Sequence, residues 1–83
     1  MPARSFNAVE FSQSDLDRVD QRIAQARERL ERQREIIEKL AVGGHDTTDA
    51  ESLFRVMRRT LENFEKDRRA IEDELFAAKT NHT

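Results

Sequence analysis

The chain has 83 residues, 39% of them charged and 36% hydrophobic, with a formal net charge of −2. The charged fraction is far above the usual ~25%, but the near-zero net charge and 19 Leu, Ile, Val and Phe residues argue against disorder, and two Gly, one Pro and no Tyr or Trp argue against an all-β fold. The absence of Cys excludes disulfides, thiolate metal sites and a cysteine nucleophile; no apolar run approaches the length of a membrane span, and the charge balance gives no global attraction to nucleic acid or anionic lipid.

The first segment, residues 1–14, reads as an irregular arm that packs back through Phe6, Val9 and Phe11. A helix over 15–42 follows. Its start is marked by Ser12 as N-cap with Asp15 at N3 and by Phe11 and Leu16 at the staple positions. Ser14 with Asp17 is a competing cap. Leu16, Val19, Ile23, Ala26, Leu30, Gln33, Ile37 and Leu40 recur in alternating steps of three and four, an a/d heptad seam with one polar member. Gly43-Gly44 ends the helix, because Gly accepts the left-handed conformation of a C′ position. After a turn over 43–47, a second helix, taken as 48–79, restarts at Asp46, Thr47 or Thr48, and Thr48 with Glu51 three residues on forms a capping box. Its seam is Ala50, Phe54, Met57, Leu61, Phe64, Arg68, Ile71, Leu75 and Ala78, and residues 80–83 are expected to fray.

Two helices of nearly equal length joined by so short a turn must lie antiparallel. Facing residue numbers then sum to about 90, which sets Val19 against Ile71, Ala26 against Phe64, Leu30 against Leu61 and Ile37 against Phe54, alternately small and large. The same register pairs Arg22 with Asp67 and Arg27 with Glu65. It also opposes Asp15 to Glu74, Asp20 to Glu72 and Arg34 to Arg58, which is unfavourable. One hairpin encloses no core, and a chain this short without disulfides or metal needs association. Near the turn the apolar stripe widens through Ile36, Leu53, Val56 and Val42, more surface than one hairpin covers. The expected fold is an all-α, coiled-coil-like antiparallel two-helix hairpin that pairs as a homodimer into a four-helix bundle. Its interface residues are the seam members Leu16, Val19, Ile23, Ala26, Leu30, Gln33, Ile37, Leu40, Phe54, Met57, Leu61, Phe64, Ile71 and Leu75, with Ile36, Leu53 and Val56.

The strongest chemical feature is a band of seven arginines, Arg27, Arg29, Arg32, Arg34, Arg55, Arg58 and Arg59. It could contact phosphates or an acidic partner, but no aromatics interleave for base stacking. Glu28, Glu31, Glu35 and Glu62 at helix-pair spacing also fit a solvated face. His45, Asp46 and Asp49 offer a thin ligand set, better read as a capped turn; His82 carries no signal. Gln33 and Arg68 interrupt the seam. Gln33 is a candidate for fixing register, and Arg68 can snorkel toward Asp20, Glu65 or Glu72. No Gly-rich phosphate loop or nucleophile–base arrangement is present, so neither catalysis nor a cofactor nor a metal is expected.

Arg32-Gln33, Ile36-Ile37 and Leu40, then Gly44-His45-Asp46-Thr47, Ala50-Glu51, Leu53 and the Leu61/Phe64 seam, form a pattern spanning Arg22 to Ile71. In this pattern the chain resembles a loose group of small bacterial helical-hairpin proteins. The resemblance implies an αα-hairpin in a bacterial cytoplasm, in keeping with the lack of a signal-peptide pattern, and supplies no activity. The functional expectation is a non-catalytic interaction or regulatory module that self-associates and docks on another protein, with a nucleic-acid-binding bundle as the alternative and no membrane role.

Overall fold

The computed structural model describes residues 11–80 and places them in two helices, α1 (Gln13–Val42) and α2 (Thr48–Thr80), with no strand among them. Met1 to Glu10, with Phe6 and Val9, and residues 81–83, with His82, lie outside the described residues.

Local chemistry fixes the helix ends. Ser12 is extended (φ −122°, ψ 172°) and its hydroxyl accepts from the Asp15 N–H at 3.4 Å, while the Asp15 carboxylate accepts from the Ser12 N–H at 2.8 Å. This capping box satisfies two orphan donors at once. Because Ser12 and not Ser14 takes the cap, α1 begins at Gln13, two residues before the expected 15. At the other end the Gly44 N–H donates to the Ala41 carbonyl and the His45 N–H to that of Leu40, at 3.0 and 2.8 Å. With Gly44 at φ 75° this is a Schellman closure, in which only Gly adopts the C′ conformation without strain.

Of the three positions open for the start of α2, Thr47 takes the cap, and the Thr48–Glu51 box does not form. The Thr47 carbonyl already accepts from the Glu51 N–H at 2.8 Å, which puts the cap one residue earlier and makes Thr48 the first helical residue. The Glu51 carboxylate is met by the Thr47 hydroxyl, not that of Thr48, at 2.7 Å. Thr48 instead gives its N–H and its hydroxyl to Asp46 Oδ1, at 3.0 and 2.7 Å. α2 then runs one residue beyond the expected 79, to Thr80.

Three cross-links run in opposite senses along the two helices and establish an antiparallel hairpin: Asp20 with Arg68, Arg27 with Glu65, and Gln33 with Ala50. The seam packs the helices together. Val19, Ile23, Ala26, Ile71 and Gln33 are buried, whereas Leu16, Leu30, Ile37, Leu40, Phe54, Met57, Leu61, Phe64 and Leu75 are half-buried. Ala78, expected in the seam, is exposed, since it lies beyond the start of α1 with no helix opposite. The radius of gyration is 18.9 Å, against about 12 Å for a compact domain of this length. No side chain among the described residues is fully buried.

Candidate association surface

The a/d seam divides the rest of each helix into two flanks, and the antiparallel arrangement brings like flanks together. The flank holding Asp20, Arg27 and Arg34 of α1 meets the flank holding Arg58, Glu65 and Glu72 of α2. Here Arg27 Nη2 reaches Glu65 Oε2 at 3.3 Å, as the register requires. Asp20 and Glu72, expected to repel, are bridged: Arg68 Nε donates to Asp20 Oδ1 at 2.5 Å and its Nη1 lies 2.6 Å from Glu72 Oε2. Arg68 is therefore a half-buried cation whose stem covers the seam and whose head neutralises two carboxylates. Those two acceptors, through their hydrogen bonds and then their charges, raise its pKa above the ordinary guanidinium value. Arg34 turns away from Arg58 to Glu31 at 2.6 Å, and the Glu31 hydrogen bond raises its pKa likewise. Ion-paired side chains thus roof this side.

The opposite flank is built differently. On α2 it carries Leu53, Val56, Thr60, Asn63, Ala70 and Ala77, with Asp67 and Glu74 as its acids. The Thr60 hydroxyl donates to the Val56 carbonyl at 3.1 Å, which removes its need for solvent. Ile36, Leu53 and Val56 are 47%, 50% and 56% exposed. An open groove of about 320 Å³ runs between Arg22, Ala26 and Arg29 on α1 and Val56, Met57, Thr60 and Phe64 on α2. A second groove of about 270 Å³ continues toward the open end, lined by Phe11, Val19, Ala70 and Ile71 and rimmed by Asp15, Arg18, Arg22 and Asp67. Arg22 and Asp67 share this groove without forming the expected ion pair; the carboxylate of Asp15 is held by the cap and lies 3.6 Å from Arg18.

The arginine band does not form one surface. Arg27, Arg34, Arg55 and Arg58 lie on the ion-paired flank, Arg29 and Arg32 on the grooved flank, and Arg59 on the outer edge of α2. All seven are exposed. Arg27 and Arg34 are in ion pairs and Arg55 donates to the Ser52 hydroxyl at 3.2 Å, whereas Arg29, Arg32, Arg58 and Arg59 have no ion pair among the described residues. The seam's polar member, Gln33, is 7% exposed and donates from Nε2 to the Ala50 carbonyl at 3.0 Å, tying the middle of α1 to the first turn of α2. In the turn, Asp46 is occupied as a cap. The Thr48 side-chain and backbone hydrogen bonds hold its carboxyl below the ordinary carboxylate range. The His45 ring lies over Gly43. Among the described residues no three His, Asp or Glu side chains converge as a metal site, and no helix is long and apolar enough to cross a membrane.

The contrast between flanks went unread in the sequence. Its signal was there: positions 53, 56, 60, 63, 70 and 77 carry no charge on a side of α2 whose charged members are Asp67 and Glu74. No family model, no curated protein and no solved structure matches the chain.

Proposed function

We propose that this chain is a non-catalytic interaction module that self-associates and, as an assembled bundle, docks on another protein. The observation that carries the reading is the cluster of Ile36, Leu53 and Val56, each about half exposed, on the grooved flank of a hairpin with no fully buried side chain among the described residues. Patches of this kind on small proteins mark interfaces. A dimeric four-helix bundle covers the patch and supplies the core that one hairpin lacks. The seam interface residues act mainly within the hairpin, and the grooved flank acts between copies. The grooves are open troughs along the helices, suited to side chains more than to an enclosed substrate. A cytoplasmic bacterial setting belongs to the same reading.

Nucleic-acid binding is the second reading, supported by the unpaired Arg29, Arg32, Arg58 and Arg59. Their spread over three sides of the hairpin weighs against it, since phosphate tracking needs a continuous basic stripe. Light scattering across protein concentration, with refractive-index detection, tests self-association. A mass near twice 9.7 kDa supports the module, and a folded monomer throughout contradicts it. A salt-sensitive mobility shift of short RNA or DNA at low salt would move the function to the arginine band.

A further inference from the structure

We infer that the groove between Arg22, Arg29, Val56 and Phe64 seats an acidic amphipathic helix of another protein, with carboxylates one heptad apart on the two arginines. This rests on the docking half of the reading above and names the partner's chemistry.

The lining of this groove holds two cations, Arg22 and Arg29, beside Ala26, Val56, Met57 and Phe64, and no carboxylate. The neighbouring groove toward the open end, by contrast, carries Asp15 and Asp67 on its rim. The hairpin register explains the shortage. Arg29 stands opposite Thr60, whose hydroxyl is given to the Val56 carbonyl. Arg22 stands opposite Asp67 without pairing with it. Among the described residues neither Arg22 nor Arg29 is in an ion pair, whereas Arg27 and Arg68 on the other flank both are.

Two physical constraints select the occupant. Whatever covers this groove takes both guanidinium groups out of water, and an unpaired buried cation is costly, so the occupant must bring carboxylates. An Arg–carboxylate pair then adds charge-assisted hydrogen bonds in a fixed geometry. The occupant must also bury the apolar floor. Arg22 and Arg29 are about 10.5 Å apart along α1, the rise of seven helical residues. A helix lying along the hairpin therefore meets both with acids at i and i+7. Its i+3 and i+4 side chains, on the same face, rest on Ala26, Met57 and Phe64. A phosphate backbone would pair the arginines but leave that floor without an apolar partner. A second copy competes for the same flank, and the bundle exchanges that hairpin for the partner's helix.

The probe is a fluorescein-labelled, alanine-rich helical peptide with glutamate at i and i+7 and leucine at i+3 and i+4. Its control carries lysine in place of both glutamates. Fluorescence anisotropy should show the glutamate peptide binding about tenfold tighter or more than the lysine peptide, and weakening with salt as the charges are screened. Arg22→Gln with Arg29→Gln, both at exposed positions, should keep the parent's helicity by circular dichroism and abolish that preference. Arg55→Gln with Arg59→Gln, away from the groove, should leave it unchanged. Equal binding of the two peptides, or a preference that survives the loss of Arg22 and Arg29, would overturn the site. A short RNA held by those two arginines, with the glutamate peptide unbound, would overturn the helix as occupant. Light scattering on the parent chain reports self-association by itself, so a monomer that still prefers the glutamate peptide would contradict the bundle and support the groove.

Discussion

Gly44 carries the sharpest backbone requirement in the described chain. Its φ of 75° is left-handed and nothing lies within 4 Å of where a Cβ would be, so a side chain there meets strain and no clash. Gly44→Ala should lower stability by about 1–2 kcal/mol, the usual left-handed penalty, measured by thermal or urea unfolding. Gly43 is the converse case: its φ is an ordinary −80°, but a Cβ would sit 2.9 Å from the His45 ring. Gly43→Ala should therefore destabilise alone and become neutral, or stabilising by about 0.4–1 kcal/mol, in a His45→Ala background. Additive effects would contradict the clash. Gln33 is held by one bond across the hairpin. Gln33→Ala should cost about 1–2 kcal/mol from the lost hydrogen bond and the small void. It should also speed amide exchange in the first turn of α2 more than in the second half of that helix; uniform acceleration would show that Gln33 does not pin the register.

The elements are set by their ends, and one end is pH-sensitive. The Asp46 carboxyl has a folded pKa below its unfolded value because Thr48 donates to the charged form. Its contribution is complete above the unfolded value of about 4 and is lost as pH falls through the folded value. The first turn of α2 should therefore loosen in acid below about pH 4. Asp46→Asn should shrink that acid dependence, as read by exchange at Thr48 and Asp49; an unchanged pH profile would refute the assignment. Both helices and their seam were legible because periodicity integrates over ten or more residues and one substitution barely changes it. The caps were less so. Ser12 and Ser14, or Thr47 and Thr48, carry the same hydroxyl chemistry, so residue type alone does not choose between them. Sequence spacing puts Arg68 within reach of Asp20, Glu65 and Glu72 alike; the three-dimensional register makes it bridge Asp20 and Glu72 together. Arg22 and Asp67 illustrate the opposite failure, since opposed positions in a register need not close an exposed ion pair worth only ~0.2–1 kcal/mol.

At the scale of the whole molecule, the two flanks separate two jobs. The ion-paired flank keeps a thin, half-wet hairpin compatible with water. The grooved flank holds Ile36, Leu53 and Val56, three of the five exposed large apolar side chains among the described residues. This difference was the least legible feature of the sequence, because it appears only once the antiparallel pairing decides which residues share a side. A hairpin with four buried apolar side chains among its described residues has little to hold it folded alone. The central claim is that association completes the fold. The direct measurement is helix melting by circular dichroism over a hundredfold range of protein concentration. Linkage between folding and association predicts a midpoint that rises by about 5–10 °C across that range. A midpoint independent of concentration would mean that the hairpin folds without its second copy, and would contradict the account.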